Sequence, residues 1–206
     1  LQLAATLAPD VDAVTAQLGE LFDDQGMLER ANSLFTRIEP ASPYYRIAQL
    51  ERALNLDEMG LREEAVVELD KLIDEDPDDL VAHLSYGAVL ARHEDFAGAL
   101  KIYNRIIARI KFPTRMYWNL FYRQGIAYER TKQWPKAETA FKKAPQLYPD
   151  HASVLNYLGY SWVDMDMNLQ EGLDMIRKAV SLRPNDGYMV DSLGWAYYKL
   201  GRIEEA

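Results

Sequence analysis

The sequence predicts an all-α protein, a solenoid built from antiparallel pairs of helices. Three sets of residues recur at nearly constant spacing and support this prediction. Small residues return at separations of 34, 34, 38, 35 and 34 residues, at Ala31, Ala65, Ala99, Ala137, Gly172 and Ala206. Glycines recur at Gly19, Gly87, Gly125, Gly159 and Gly194, with Ala53 replacing one of them, and prolines recur at Pro9, Pro43, Pro77, Pro149 and Pro184. A fixed period of this length is typical of an array in which each unit packs only on its neighbours.

The stretch 118–151 shows why this pattern predicts a helical hairpin. Small residues at Gly125 and Ala137 let two antiparallel helices approach closely, the large side chain of Phe141 fills the remaining gap, and Pro149 stops the second helix. With these marks the unit resembles the tetratricopeptide repeat, and their recurrence extends the resemblance over the whole chain. The resemblance implies a right-handed superhelix whose first helices line a concave surface that binds proteins or peptides.

The period divides the chain into units, each with a predicted pair of helices. The predicted units are a partial repeat 1–11, whole repeats 12–45, 46–79, 80–117, 118–151 and 152–186, and a partial repeat 187–206. The predicted helices are 13–25, 28–41, 46–59, 62–75, 80–93, 96–111, 116–131, 135–146, 152–164, 169–182 and 187–200. No strand is expected. The chain opens in the tail of a second helix and closes within a unit, so we expect an interior fragment of a longer protein.

Two segments depart from a plain pair of helices. The acidic run DEDPDD at 74–79 is interpreted as a solvated turn, and calcium binding is the alternative, although the run lacks the glycine and distal glutamate of a calcium loop. Pro145 falls inside the last turn of a second helix, where a kink or an early end is expected.

Composition excludes several classes of protein. The mean hydropathy of −0.30 and the absence of a long apolar run argue against a membrane span. The chain has no cysteine, and its three histidines, His83, His93 and His151, lie far apart, so no metal and no cofactor is expected. The sequence contains no phosphate-binding glycine loop, no Gly-x-Ser-x-Gly and no HExxH motif. We therefore predict a protein that is not an enzyme and has no small-molecule substrate.

Charge is unevenly distributed along the chain. Residues 96–145 hold eleven Lys or Arg and two acidic residues, a balance of +9, whereas the other 12 basic and 30 acidic residues give −18. Lys101, Arg105 and Arg109 recur every four residues on one face of a second helix, which indicates an outward basic docking surface. A solvated face is the alternative to docking an acidic partner or the acidic end of another copy. Nucleic-acid binding through 96–145 is disfavoured by the net charge of −9 and by the outward placement.

The first helices of the last three units carry a row of aromatic and polar residues at inward positions. The predicted peptide-binding or protein-binding residues are Asn119, Tyr122, Ile126, Asn156, Tyr160, Tyr188, Trp195 and Tyr198. Tyr128, Trp162 and Tyr197 account for the core, which leaves Tyr122, Tyr160 and Trp195 without a structural duty. Packing of these aromatics on neighbouring helices is the alternative.

These observations favour a non-catalytic interaction scaffold or adaptor that binds a peptide or protein in its concave groove. The units from 152 onward also resemble the tetratricopeptide arrays of bacterial cell-envelope lipoproteins, which implies an envelope complex, with the cytoplasm as the alternative compartment. A regulatory or helper module attached to an enzyme outside this chain is a second interpretation. Nucleic-acid binding is the third.

Overall fold

A computed structural model describes residues 12–206, which form eleven α-helices, one short 3₁₀ helix and no strand. Two compact units make up the chain, the first ending at Arg109 and the second beginning at Ile110. The predicted partial repeat 1–11 lies outside the described residues, and the boundaries of the repeats stay a prediction. The predicted all-α solenoid of helix pairs is confirmed.

The first unit contains three helical hairpins. Their helices are α1 (Asp12–Asp24), α2 (Leu28–Phe35), α3 (Tyr45–Glu58), α4 (Arg62–Glu75), α5 (Leu80–Arg92) and α6 (Phe96–Ile107). Each odd-numbered helix pairs with the helix that follows it, and α2 with α3 and α4 with α5 join successive hairpins. Helix α3 also contacts α5, as expected for first helices stacked side by side.

The second unit begins with the 3₁₀ helix (Arg115–Tyr117) and contains two hairpins and a further first helix. Its helices are α7 (Trp118–Arg130), α8 (Trp134–Leu147), α9 (Ala152–Asp164), α10 (Leu169–Leu182) and α11 (Gly187–Lys199). Helix α11 packs on both α10 and α9, so the first helices α9 and α11 are neighbours. This pairing forms the site described below.

Two predicted helices are too long, and of the kink or early end expected at Pro145 the early end is wrong while the kink stays a prediction. Helix α2 ends at Phe35 rather than at 41 because Pro40 cannot donate a helical hydrogen bond and disfavours helix in the residue before it. Helix α6 ends at Ile107 rather than at 111, since no side chain from 107 to 119 is buried and packing stabilises most helices. Helix α8 continues through Pro145 to Leu147, so the early end predicted there does not occur.

Each described first helix ends in the same backbone arrangement. The second residue after the helix has a positive φ, and it lies at Gly26, Gly60, Glu94, Lys132, Asp166 and Gly201. In α7, the Lys132 N–H donates to Glu129 O at 2.8 Å and the Gln133 N–H donates to Tyr128 O at 2.8 Å, and the other five ends repeat this pair of bonds. This is the Schellman motif, which satisfies carbonyls at the end of the helix. Only three of the six positions are glycine, so composition alone does not reveal the motif.

The recurring small residues from Gly19 to Gly172 lie buried where the two helices of a hairpin cross, whereas Gly194 is half-buried and Ala206 is exposed beyond the last helix. A methyl group at Gly125 would lie 2.5 Å from the Phe141 ring, and an aromatic ring covers Gly19 and Gly87 in the same way. Where Ala53 replaces the glycine, Leu69 stands four residues after Ala65, in the place of the aromatic ring, and both are fully buried. Large and small side chains therefore compensate for each other within each hairpin.

Polar contacts tie successive hairpins of the first unit together. Arg46 Nε and Nη2 donate to the two carboxylate oxygens of Asp79 at 2.5 Å, and Asp79 also caps α5 by accepting from the Val81 and Ala82 N–H groups. The fully buried Asp57 carboxylate accepts from Arg92 Nη1 at 2.7 Å and contacts His93 Nε2 at 2.6 Å. The partners are 33 to 36 residues apart, about one repeat.

Candidate functional site

Helices α9 and α11 present three partly exposed aromatic side chains on one surface. Tyr160, Trp195 and Tyr198 are 39%, 37% and 57% exposed. The Trp195 and Tyr198 rings stack with their centroids 5.4 Å apart and an interplanar angle of 21°. They border an open groove of about 620 Å³. The residues that line this groove, called the aromatic groove below, are Tyr160, Val190, Asp191, Gly194, Trp195, Tyr198 and Ala206.

Helical periodicity explains why these rings are exposed. Met189, Ser192 and Ala196 form the buried face of α11. Asp191, Trp195 and Tyr198 follow one another at spacings of four and three residues, so they share a different face of the helix. The buried face of α11 therefore packs through small and flexible side chains, and the large Trp195 and Tyr198 rings lie on its more exposed face.

Negative charge lies beside the rings. Burial, and after it the carboxylates of Asp164 and Asp191, raise the pKa of the Tyr160 hydroxyl. Lys199 is the nearby cation: its ammonium lies 5.7 Å from the Trp195 ring centroid and forms an ion pair with Asp166 at 2.6 Å. Within residues 12–206, the carboxylates of Asp164 and Asp191 have no ion-pair partner. The groove is thus aromatic and acidic.

Two of the predicted site residues lie close to the aromatic groove without lining it. Asn156 Nδ2 donates to Ser192 Oγ at 3.2 Å and so joins α9 to α11, while its Oδ1 is buried without a hydrogen-bond partner. Tyr188 is 88% exposed at the start of α11. Each stands about one helical turn before a lining residue, Asn156 before Tyr160 and Tyr188 before Asp191.

The predicted residues on α7 have a different environment. Tyr122 packs against Phe141 and Tyr157, with ring centroids 6.3 and 5.6 Å away, and burial raises the pKa of its hydroxyl. Ile126 packs against the same cluster. Asn119 Oδ1 accepts a hydrogen bond from Arg123 Nε at 3.1 Å. The prediction that Tyr122 lacks a structural duty is therefore wrong, although part of its surface remains accessible.

The predicted basic stripe lies partly outside α6, since Arg109 follows the end of the helix, and its two arginines pair with acidic residues of the preceding hairpin. Arg105 forms ion pairs with Asp70 at 3.1 Å and Asp74 at 3.3 Å, and Arg109 pairs with Asp78 at 2.5 Å. Lys101 is exposed and borders a separate groove between α4 and α6. This pairing favours a solvated face over docking at Arg105 and Arg109.

Sequence reasoning missed the acidic side of the aromatic groove. Asp191 stands four residues before Trp195, and this spacing places both on one helix face. It could have indicated that a carboxylate lies beside the Trp195 ring. Across residues 12–206 we find no cluster of three or more His, Asp or Glu side chains arranged to hold a metal ion. None of the described helices is long and apolar enough to cross a membrane.

Comparison with known proteins supports the repeat assignment. Models of the tetratricopeptide repeat match residues 50–114 and 120–151. The chain is 28% identical over 197 residues to the TPR repeat-containing protein PA4667 of Pseudomonas aeruginosa PAO1, covering 95% of this chain but only 32% of that protein. The chain thus spans about a third of the length of this relative.

Solved structures show the same fold at low sequence identity. A chain of the APC/C hetero-tetramer Cut9–Hcn1 superposes with a TM-score of 0.70 at 15% identity, over 95% of this chain and 38% of that one. YrrB, described as a TPR protein with an unusual peptide-binding site, gives a TM-score of 0.62 at 15% identity, over 93% and 96%. The family models, together with the recurrent helical hairpins, show that the chain contains tetratricopeptide repeats, and the solved structures show the same fold, which is typical of protein–protein interaction scaffolds.

Proposed function

We propose that this chain is a non-catalytic adaptor that binds a peptide segment of a partner protein in the aromatic groove of α9 and α11. The observation that carries the proposal is the exposure of Tyr160, Trp195 and Tyr198 on one surface while the core is complete without them. Rigid aromatic rings that are part apolar and part polar commonly supply most of the energy at an interface. An extended peptide continuing along the first helices would reach Asn156 and then the accessible edges of Asn119, Tyr122 and Ile126.

The biological setting that fits this proposal is a bacterial envelope complex, in which the adaptor joins two protein partners. The support is the resemblance of residues 152–206 to envelope lipoprotein arrays, together with a bacterial relative that is described as a TPR repeat-containing protein.

Selection from a random peptide display library tests the proposal. We expect the purified chain to enrich peptides that bind wild type and lose about tenfold or more affinity on Trp195→Ala or Tyr160→Ala, equivalent to about 1 to 3 kcal/mol. Phe112→Ala is the matched control, because Phe112 is exposed on a different segment and lies outside the groove. Affinity is measured by fluorescence anisotropy and folding by the melting temperature.

One result would contradict this site. If Trp195→Ala and Tyr160→Ala lowered the melting temperature sharply but left peptide affinity equal to that of Phe112→Ala, the rings would belong to the core.

A further inference from the structure

The aromatic groove combines two features that together recognise one kind of side chain. The first feature is aromatic surface, because Trp195 and Tyr198 stack on each other and Tyr160 lines the same groove. The Trp195 ring already has a cation near it, the Lys199 ammonium at 5.7 Å from its centroid. A tryptophan ring attracts cations through its negative faces.

The second feature is an excess of negative charge. Asp191 lines the groove, and Asp164 lies close enough to Tyr160 to disfavour ionisation of its hydroxyl together with Asp191. Lys199 offsets this charge only in part, because its ammonium forms an ion pair with Asp166 at 2.6 Å while donating to the Asp164 backbone carbonyl at 3.4 Å, and Asp191 has no such partner. An occupant that carries positive charge would therefore gain attraction on entering the groove, whereas an acidic occupant would be repelled.

We propose that the aromatic groove takes the cationic side chain of an arginine in the bound peptide, so that the partner segment is basic. This inference rests on the proposed function and names the chemistry of its ligand. A guanidinium can lie flat against an aromatic ring while its N–H groups donate to a carboxylate such as Asp191. The groove thus differs from a receptor for an acidic or carboxylate-terminated peptide, which would need cations in these positions.

Two synthetic probes test the inference. One is a fluorescein-labelled Gly/Ser peptide that carries three arginines, and the other is the same peptide with citrulline, which keeps the shape of arginine without its charge. We expect wild type to bind the arginine peptide about tenfold more tightly than the citrulline peptide, since the difference reports charge recognition. Affinities are measured by fluorescence anisotropy at physiological salt.

Two variants that each remove one negative charge test whether the arginine is recognised at Asp191. Asp191→Asn removes one charge at the groove, and Glu171→Gln removes one exposed charge on α10, outside the groove lining. We expect Asp191→Asn to weaken arginine-peptide binding by about fivefold or more and to leave citrulline-peptide binding unchanged, with Glu171→Gln equal to wild type. Trp195→Ala should weaken binding of both peptides.

The outcomes separate this inference from the proposed function. Equal affinity for the two peptides would overturn the basic-peptide inference, because the groove would then show no attraction for positive charge. Equal effects of Asp191→Asn and Glu171→Gln would also overturn it, because the attraction would then come from the net charge of −9 and not from the groove. Selected peptides that are neutral or acidic and still depend on Trp195 would overturn it while leaving the peptide groove intact. Peptides whose binding ignores Trp195 would overturn both.

Discussion

Individual glycines decide how closely the helices of a hairpin can pack. At the α9–α10 crossing two glycines face each other, and a methyl group at Gly159 would lie 2.7 Å from the Gly172 carbonyl oxygen. This neighbour is backbone, so it cannot move aside without shifting a helix. The other glycines at crossings meet aromatic side chains instead.

Gly159→Ala should therefore destabilise the protein by about 1 to 3 kcal/mol, because the two backbones must separate. Gly187→Ala is the control, since a methyl group there meets nothing within 4 Å, and we expect it to be neutral or slightly stabilising. Chemical denaturation of both variants checks this. Equal free energies of unfolding for the two variants would show that α9 and α10 do not cross closely at Gly159.

His151 is a residue whose protonation should weaken the fold. Its ring lies 3.9 Å from the Trp118 ring by centroids, and its Nδ1 is buried without a hydrogen-bond partner. Burial, followed by the positive charge of Arg183, holds the pKa of His151 below its ordinary value of about 6.5. Burial likewise lowers the pKa of His83.

A histidine with a lowered pKa in the folded state stays neutral while the unfolded chain takes up a proton. The free energy of unfolding should therefore fall as the pH drops below about 6.5 and continue to fall until the folded-state pKa is reached. We expect His151→Phe, which keeps a ring against Trp118, to lose less stability than wild type between pH 7.5 and 5.5 in urea denaturation. The same pH dependence in both proteins would refute a role for His151.

At the scale of elements, the N-terminus of α5 depends on one carboxylate with two roles. Burial alone would raise the pKa of Asp79, but hydrogen bonds from Arg46 and from the Ala82 and Val81 N–H groups outweigh it and lower the pKa. The cap stabilises α5, whereas the Arg46 pair joins α3 to α5. The Arg46 side chain is nearly half exposed, so the ion pair is expected to contribute modestly.

Two substitutions separate these roles. Asp79→Asn keeps an acceptor for the cap and loses the charge, so it should cost about 0.5 to 1 kcal/mol, while Asp79→Ala loses both and should cost about 1 to 3 kcal/mol. Thermal melts and chemical denaturation measure the difference, and Arg46→Gln, which removes only the ion pair, should match Asp79→Asn. If Asp79→Asn were as costly as Asp79→Ala, capping would contribute nothing.

At the scale of the whole molecule, a repeat array is stabilised by each repeat and its contacts with the next. Both compact units have complete hairpins, so fragments 1–109 and 110–206 should each retain helical circular dichroism and melt cooperatively. A cut after Lys132 would instead separate α7 from α8, the partners of one hairpin. Fragment 133–206 should then be less stable than 110–206. The opposite order would contradict the assignment of α7 and α8 to one hairpin.

The spacing of small, large and proline residues was enough to predict the helical hairpins and most helix boundaries. This succeeded because hairpin formation depends on residues close in sequence: the Phe141 ring lies over Gly125 across a short turn and packs beside Ala137. The errors arose where local features were overlooked, such as Pro40 in the predicted continuation of α2. The recurring Schellman ends were not predicted because three of their six positive-φ residues are not glycine.

The sequence by itself determined that this protein is a helical repeat array with aromatic residues on its first helices. Only the tertiary structure decided which of those aromatics stay accessible. Tyr122 is covered by Tyr157 of the next first helix, whereas Tyr160 faces the small Gly194 and the acidic Asp191. Likewise, Arg105 meets Asp70 and Asp74 of the preceding hairpin. In each case the deciding partner lies about one repeat away in the sequence. Helical periodicity predicts which face of its helix a residue occupies, but it does not predict the size or charge of the residue that lies against it from the neighbouring repeat.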